Sequence, residues 1–175
     1  SPPMPRSEKL PEFFVRPVAS DTTRWAINPP LWISDMTDNA PIKVLVTILG
    51  LDQHEVGALA IAATLRDAGM EVVYGGRFNL PPAVVNTALQ EDVDIIGIST
   101  HSWEYLHFLE DIFNGLKEAG MDVPVVVGGS VVTDSDKTDI ISKGVAAAFG
   151  PTDTPEGIVA EIRRIAALRS VQETA

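Results

Sequence analysis

An aspartate and a histidine two residues apart are the side chains of this sequence best suited to chemistry. Asp52 and His54 belong to the stretch Gly-Leu-Asp-Gln-His-Glu-Val-Gly at residues 50–57. Imidazole is a good ligand for transition metals, and a carboxylate that holds the other ring nitrogen fixes the tautomer and makes the imidazole more basic. The pair is therefore a candidate metal ligand with its supporting carboxylate. The alternative is an ordinary loop histidine that follows an aspartate capping the next helix.

The position of this pair along the chain favours a ligand-binding role. An apolar run at residues 44–49 predicts a buried strand, and a helical pattern begins near Glu55. The pair then lies on the loop at the carboxyl end of the first strand, where open α/β sheets bind their ligands. Ser99 ends the third apolar run, and Gly128 and Gly129 end the fourth. We expect all of these residues at one edge of one sheet.

Strands and helices alternate from residue 42 onward, as hydrophobic periodicity and glycine or proline breaks indicate. Strands are predicted at residues 43–49, 71–74, 94–99, 123–127 and 146–149. Helices are predicted from about residue 55 to 68, from 81 to 91, from a Ser102 cap to near 120, from 134 or 136 to before 144, and from 154 on. This alternation predicts an α/β fold, a doubly wound parallel sheet with right-handed crossovers and the flavodoxin-like strand order 2-1-3-4-5.

Length and composition restrict the fold and the partners. The 175 residues suit one domain with a real core, and the 45% hydrophobic and 21% charged fractions are those of a soluble globular protein. A net charge of -11 argues against nucleic acid as a partner. Cysteine is absent, which excludes disulfides and thiolate sites. No apolar run approaches the roughly 20 residues of a membrane span, so we expect no membrane partner and a cytoplasmic location.

Residues 1–41 differ from the rest of the chain because they contain 8 of the 13 prolines, and proline interrupts regular structure. We therefore predict an extended proline-rich segment at residues 1–41, a ligand-binding domain at 42–170 and a C-terminal tail at 171–175. The segment also carries four aromatic residues that a disordered linker would lack: Phe13, Phe14, Trp25 and Trp32. They either cover this domain's own surface or, as we prefer, anchor the segment on another subunit.

Three short blocks of the sequence resemble the cobalamin-binding domains of adenosylcobalamin-dependent mutases and corrinoid methyltransferases. The signature of that family is Asp-x-His-x-x-Gly, then Ser-x-Leu, then Gly-Gly. The corresponding blocks here are Asp52-Gln53-His54-Glu55-Val56-Gly57, Ser99-Thr100-His101 and Gly128-Gly129. His101 stands where the family usually has leucine. The resemblance covers about residues 42–168.

The resemblance implies how the first block would hold the cofactor. Cobalamin carries cobalt in a corrin ring, and its own dimethylbenzimidazole tail can occupy the lower side of the metal. His54 would replace that base as the lower cobalt ligand, while Asp52 holds the second ring nitrogen. Gln53, between them, is assigned to the cofactor-binding set with the same block.

The resemblance also implies a place for the displaced nucleotide tail. Ser99 would offer its hydroxyl to a nitrogen of the displaced base. The lack of side chains at Gly57, Gly128 and Gly129 would leave space for the tail between the strands. His101 would border the corrin or the tail pocket.

Further residues resemble the acyl-CoA mutase branch of this family. Leu51 and Ala58 stand where the methyltransferases typically have Gly and Lys, and residues 88–94 and 149–151 look like their counterparts in the mutases. The resemblance then implies the small subunit of an isomerase, which carries adenosylcobalamin and has no catalytic residue of its own. Its partner would be a large acyl-CoA-binding subunit, together forming a heterotetramer, with a G-protein chaperone as a further partner.

Three other interpretations assign different chemistry to the same residues. A corrinoid carrier for methyl transfer would share the cofactor site but would need methyltransferase partners. A signalling receiver domain would need an aspartate where Ser99 stands and a lysine at the end of the fifth strand. A simple metal site would use Asp52, His54 and His101.

Overall fold

The computed structural model describes residues 40–173. The predictions for the proline-rich segment, including its aromatic residues and its contact with another subunit, lie outside the described residues. Five strands and five helices alternate along the described part of the chain. Strands β1 to β5 span Lys43–Leu49, Glu71–Asn79, Ile95–Ser99, Val125–Gly128 and Ala147–Phe149. Helices α1 to α5 span Glu55–Asp67, Pro81–Glu91, Tyr105–Glu118, Asp134–Ser142 and Pro155–Glu173.

The five strands form one parallel sheet in the order β2-β1-β3-β4-β5, which confirms the predicted topology. β1 and β3 are nearly all apolar because helices cover both faces of the sheet. Ile48 of β1 pairs with Ser99 of β3, and Ser99 pairs with Gly128 of β4. The carboxyl ends of these three strands therefore meet, and the loops that extend from them share one edge.

A separate hydrophobic core lies on each face of the sheet. Successive side chains of a strand point to opposite faces, so Val44 and Val46 belong to one core and Leu45 and Leu49 to the other. Helices α1 and α5 cover the first core, and we call this side the α1/α5 face. Helices α2, α3 and α4 cover the second.

Strand β2 is longer than the sequence predicted. We expected it to end at Tyr74, but it continues through Gly75 and Gly76 to Asn79. β2 is an edge strand, and shifts in its register with β1 let it pass the two glycines. The Asn79 side chain donates hydrogen bonds to both glycine carbonyls, at 2.9 and 3.2 Å. These bonds depend on local turn geometry, which apolar periodicity does not reveal.

Helix α3 begins later than predicted because Ser102 does not cap it. The helix starts at Tyr105, and residues 101–104 form turns. In these turns the Thr100 hydroxyl donates a hydrogen bond to the Ser102 carbonyl at 2.6 Å. The extra turn lengthens the β3–α3 loop at the sheet edge where the site was predicted.

The last two helices agree with prediction at their starts. Helix α4 begins at Asp134, one of the two predicted residues, and the Asp136 carboxylate accepts a hydrogen bond from the Thr133 backbone N–H at 2.9 Å. Helix α5 continues to Glu173, past residue 170, where the domain was expected to end. No helix within residues 40–173 is long and apolar enough to cross a membrane.

Candidate cofactor-binding site

The Asp52 carboxylate connects two loops at the carboxyl edge of the sheet. Its side chain is only 3% exposed. Oδ1 accepts hydrogen bonds from Nδ1 of His54 at 2.7 Å and from the His54 backbone N–H at 3.0 Å. Oδ2 accepts the backbone N–H of His101 at 2.6 Å. One carboxylate therefore positions the β1–α1 loop and the β3–α3 loop together.

These hydrogen bonds also set the charge of Asp52. Burial alone would raise the pKa of Asp52, but the backbone hydrogen bonds from His54 and His101, with the His54 imidazole, lower it below its ordinary value. The carboxylate is therefore ionised at neutral pH. An ionised acceptor keeps the imidazole proton on Nδ1, which leaves the lone pair on Nε2 of His54.

His54 presents this second nitrogen at an accessible position. Its side chain is 62% exposed, although its Nδ1 is hydrogen-bonded to the Asp52 carboxylate. His54 is also the N-cap residue of α1, and its side chain makes no capping hydrogen bond. The alternative in which Asp52 caps this helix is therefore wrong. Gln53 lies between the two residues with an exposed side chain.

The His101 ring lies against the His54 ring. The two ring centroids are 4.0 Å apart and the planes are tilted by 35°. Nδ1 of His101 is hydrogen-bonded to the Ser130 hydroxyl, which lies just after β4. The imidazole of His54 is therefore supported by a carboxylate on one side and by a tethered aromatic ring on the other.

The simple metal site that would use Asp52, His54 and His101 is not formed. Within residues 40–173, no group of three or more His, Cys, Asp or Glu side chains could hold a metal ion. Both oxygens of Asp52 accept hydrogen bonds, and Nδ1 of His101 is bonded to Ser130. These bonds leave Nε2 as the accessible nitrogen of His54.

A cavity of about 500 Å³ lies between the sheet and the helices of the α1/α5 face, and we call it the slot. Four residues predicted to house the nucleotide tail line it: Gly57, Ser99, Gly128 and Gly129. The slot reaches the carboxyl ends of β3 and β4. Helix α1 begins directly after His54, and its third residue, Gly57, forms part of the slot wall.

Gly57 leaves open space that a side chain would fill. A Cβ atom at this position would meet only the Ser99 hydroxyl, at 3.9 Å. The glycine is therefore not required by packing within the chain. Glycine near the start of a helix lowers helix stability relative to alanine, so a reason outside the fold is needed, and space for a ligand supplies one.

Gly129 has a different reason to lack a side chain. A Cβ atom there would lie 1.7 Å from the carbonyl oxygen of Thr100, so the close approach of two loops requires glycine. At Gly128 a Cβ atom would make ordinary contacts with Phe149. Both glycines line the slot, but Gly129 is needed for the backbone itself, which the sequence did not indicate.

Gly97 is a slot residue that the sequence reasoning missed. It lies in the middle of β3 on the α1/α5 face, where its lack of a side chain deepens the slot. A glycine inside an otherwise apolar strand marks the close approach of a ligand or another backbone, and this signal was present in the sequence. Gly150 and Pro151, which belong to the segment that resembles its counterpart in the mutases, also line the slot.

Glu55 lies in the first turn of α1, where a carboxylate interacts favourably with the helix dipole. Its carboxylate also accepts a hydrogen bond from the Tyr74 hydroxyl at 2.8 Å and lies 3.5 Å from Nε of Arg77. Burial and this hydrogen bond raise the pKa of Tyr74 to about 12. Glu55 therefore connects the start of α1 to β2 through its side chain.

Comparison with known proteins agrees with the geometry. The B12 binding domain family matches residues 42–160. The 2-hydroxyisobutanoyl-CoA mutase small subunit of Aquincola tertiaricarbonis is 40% identical over 135 residues, covering 77% of this chain and 99% of that protein. The pivalyl-CoA mutase small subunit of Xanthobacter autotrophicus is 41% identical over 119 residues, covering 68% of this chain and 80% of that protein.

A solved structure shares the fold. A cobalamin-binding protein from Desulfitobacterium hafniense superposes with a TM-score of 0.61 at 20% identity, covering 71% of this chain and 59% of that chain. This likeness supports the architecture, while the sequence matches carry the family assignment. The chain belongs to the B12-binding domain family and is related to the small subunits of acyl-CoA mutases.

Proposed function

We propose that this chain is the small subunit of an adenosylcobalamin-dependent acyl-CoA mutase, an isomerase, and that it holds the cofactor with His54 as the lower cobalt ligand. The observation that carries the proposal is the Asp52–His54 pair beside the slot. A buried carboxylate holds Nδ1 at 2.7 Å and leaves Nε2 accessible. An imidazole oriented in this way is prepared to bind a metal.

The residues of the site fit cobalamin on two independent grounds. The corrin ring would bring most of the cobalt's ligands with it, so the protein would need to provide a single further donor, which matches Nε2 of His54. The displaced nucleotide needs a deep space beside that donor, which matches the slot. Ser99 lines the slot, and its hydroxyl would meet a nitrogen of the displaced base.

Gly57 supports the same assignment from the side of the helix. Its missing side chain opens the slot wall three residues after His54, at a position where packing within the chain does not require glycine. A nucleotide tail that is displaced from the cobalt and enters the slot would pass Gly57. The glycine therefore connects the proposed metal ligand to the proposed tail pocket.

When bound, adenosylcobalamin would supply the radical chemistry that a carbon-skeleton rearrangement needs. The chain's own residues bind and orient the cofactor. Asp52 tunes the basicity of His54, and the slot keeps the displaced base away from the metal. The residues that contact substrate belong to a large acyl-CoA-binding subunit, in a heterotetramer served by a G-protein chaperone.

The His54→Ala variant tests the proposal directly. We expect its affinity for adenosylcobalamin to fall by more than about 100-fold, because loss of a ligand costs more than the 10- to 100-fold cost of losing an outer hydrogen-bond partner. The absorption spectrum of bound cobalamin should also lose the signature of the displaced base. Turnover by the complex with the large subunit should fall in parallel.

His107→Ala is the matched control for this experiment. His107 is an exposed histidine of α3, so its removal tests the loss of an imidazole from the surface. We expect affinity, spectrum and turnover to match those of the wild-type chain. If His54→Ala bound the cofactor with an unchanged spectrum, the ligand assignment would be wrong.

A further inference from the structure

The slot extends deep along the face of the sheet. Val44 lines it and pairs with Ile95, four residues before Ser99 along β3. At about 3.3 Å per residue, the slot therefore reaches roughly 13 Å below Ser99 along the face of the sheet. A flat base with two fused rings can enter such a space edge-on, with its far ring toward Val44.

The sheet backbone offers few hydrogen bonds to a base in the slot. In a parallel sheet the backbone N–H and C=O groups point toward neighbouring strands, and those of β3 pair with β1 and β4. Beyond their first turns, whose N–H groups have no partner within the helix, the helices likewise use their backbone groups internally. Hydrogen bonds to a base must therefore come mainly from the side chains that line the slot.

Three side chains with polar atoms line the slot, and two already have partners. The Ser130 hydroxyl is bonded to His101, and Asp153 is paired with Lys137 at 2.7 Å. The Ser99 hydroxyl has no hydrogen-bond partner among the residues that the structure describes. Ser130 and Asp153 follow the ends of β4 and β5, so Ser99 is the polar side chain that a strand presents to a base in the slot.

Below Ser99, the floor of the slot is entirely apolar in its side chains. It is formed by residues of two strands and both helices: Val44, Leu65, Val126 and Ile162. We infer that the slot selects cobamides whose lower base is a benzimidazole and discriminates against those whose lower base is a purine. This inference rests on the proposed function and specifies which form of the cofactor the site accepts.

The two base classes differ in the polar groups that they bring into the slot. A benzimidazole displaced from cobalt has one free ring nitrogen, which the Ser99 hydroxyl can satisfy, and its second ring is all carbon. Adenine places an amino group and two ring nitrogens in the second ring. Against the apolar floor these groups lose their hydrogen bonds to water and gain no partner. The cost of these lost hydrogen bonds should weaken binding of the adenine form about ten-fold or more.

The test compares three corrinoids on the full chain by equilibrium titration, with absorbance as the readout. The first carries dimethylbenzimidazole, the second carries adenine as its lower base, and the third is cobinamide, which has no nucleotide. We expect the benzimidazole form to bind about ten-fold or more tightly than the adenine form. Equal affinities for the two would overturn the inference.

Paired substitutions on one strand locate the discrimination. Val126 lines the slot, whereas its neighbour Val127 points to the opposite core. Val126→Thr should reduce the ratio of benzimidazole-form affinity to adenine-form affinity several-fold, because the threonine hydroxyl gives a polar base a hydrogen-bond partner in the floor of the slot. Val127→Thr buries the same hydroxyl on the other face and should leave the ratio unchanged. A ratio that Val126→Thr did not reduce would overturn the inference.

Cobinamide separates this inference from the proposed function. If both complete cobamides bind equally well and the wild-type spectrum shows His54 ligation, only the selectivity is wrong. If neither binds more tightly than cobinamide, the slot does not take the nucleotide, and both the selectivity and the proposed tail pocket are wrong.

Discussion

At the scale of single residues, Asp52 organises the site because its two carboxylate oxygens accept hydrogen bonds from two different loops. One oxygen serves the imidazole and backbone of His54, and the other serves the backbone of His101. The carboxylate is buried and ionised, so it is a strong acceptor for all three donors. The orientation of His54 and the position of the neighbouring loop are therefore set by the same side chain.

Asp52→Asn should weaken both binding and folding. An amide has a single acceptor oxygen, so one of the two loops faces an NH₂ group instead of an acceptor, at a cost of about 1–3 kcal/mol in the free energy of unfolding. Cofactor affinity should fall about 10- to 100-fold because His54 loses its partner. Titration with cobalamin and chemical denaturation at pH 7 measure the two effects.

The pH dependence of Asp52→Asn gives a second readout. Because folding lowers the pKa of Asp52 below its ordinary value of 3.8, its contribution to stability is present above that pH and is lost as the pH falls through the folded pKa. The stability difference between wild type and Asp52→Asn should therefore shrink below about pH 3.8. A difference that stayed constant down to pH 3 would show that ionisation of Asp52 does not stabilise the fold.

His101→Ala should have a smaller effect. The substitution removes the ring that contacts His54 and its bond to Ser130, but keeps the backbone N–H that Asp52 accepts. Ring pairs of this kind contribute about 0.5–1.5 kcal/mol, so we expect cofactor affinity to fall about two- to ten-fold. His107→Ala again serves as the control. A loss as large as that of His54→Ala would assign His101 a more direct role.

At the scale of elements, α1 links the proposed metal ligand to the slot, since it begins directly after His54 and presents Gly57 to the cavity. A helix that starts at a functional residue holds its own side chains at fixed distances from that residue. Removal of the side chain at its third residue favours ligand entry and disfavours helix formation. Stability and binding should therefore respond in opposite directions to a change there.

Gly57→Ala should stabilise the fold and weaken cofactor binding. Alanine favours a helix over glycine by up to about 1 kcal/mol, and a Cβ atom meets only the Ser99 hydroxyl, at 3.9 Å. The added methyl group narrows the slot, so cobalamin affinity should fall about five-fold or more. Cobinamide affinity should stay unchanged because it has no tail. Thermal unfolding and titration measure these quantities.

Gly157→Ala is the matched control for that variant. Gly157 is the third residue of α5, as Gly57 is of α1, and its backbone N–H donates to the Thr154 hydroxyl at 3.1 Å. It does not line the slot, so we expect cobalamin affinity to be unchanged. Equal losses in both variants would argue that helix rigidity, and not slot width, limits binding.

The elements also show how far the fold could be predicted from the sequence. Continuous apolar runs predicted β1 and β3 closely, and Pro81 predicted the start of α2. The extension of β2 to Asn79 was missed because it depends on edge pairing and side-chain bonds to glycine carbonyls. The bond between His101 and Ser130 joins loops 29 residues apart, and periodicity carries no information about such contacts.

At the scale of the whole molecule, the proposed function separates two tasks: the described domain would hold the cofactor at one edge of the sheet, and another subunit would bind the substrate. The residues predicted to bind the cofactor lie in the β1–α1 loop, in the β3–α3 loop and along the slot. The proline-rich segment was predicted at residues 1–41, before this domain, and we propose that its aromatic residues attach the chain to a large partner. Cofactor binding and partner binding should therefore be separable.

Deletion of residues 1–39 tests this separation. We expect the shortened chain to bind cobalamin with unchanged affinity and to lose most of its affinity for the large subunit, because the aromatic anchors are gone. Titration with cobalamin and analytical ultracentrifugation with the large subunit give the two measurements. Undiminished assembly of the shortened chain would show that the segment has another role.

The hydrogen bond between Asp52 and position 101 is made to the main chain and not to the side chain. Nineteen of the twenty amino acids carry that donor, and proline is the exception. Any residue except proline at position 101 therefore keeps the hydrogen bond that joins the two loops. This bond places no demand on the side chain at position 101, which leaves that side chain available for contact with His54.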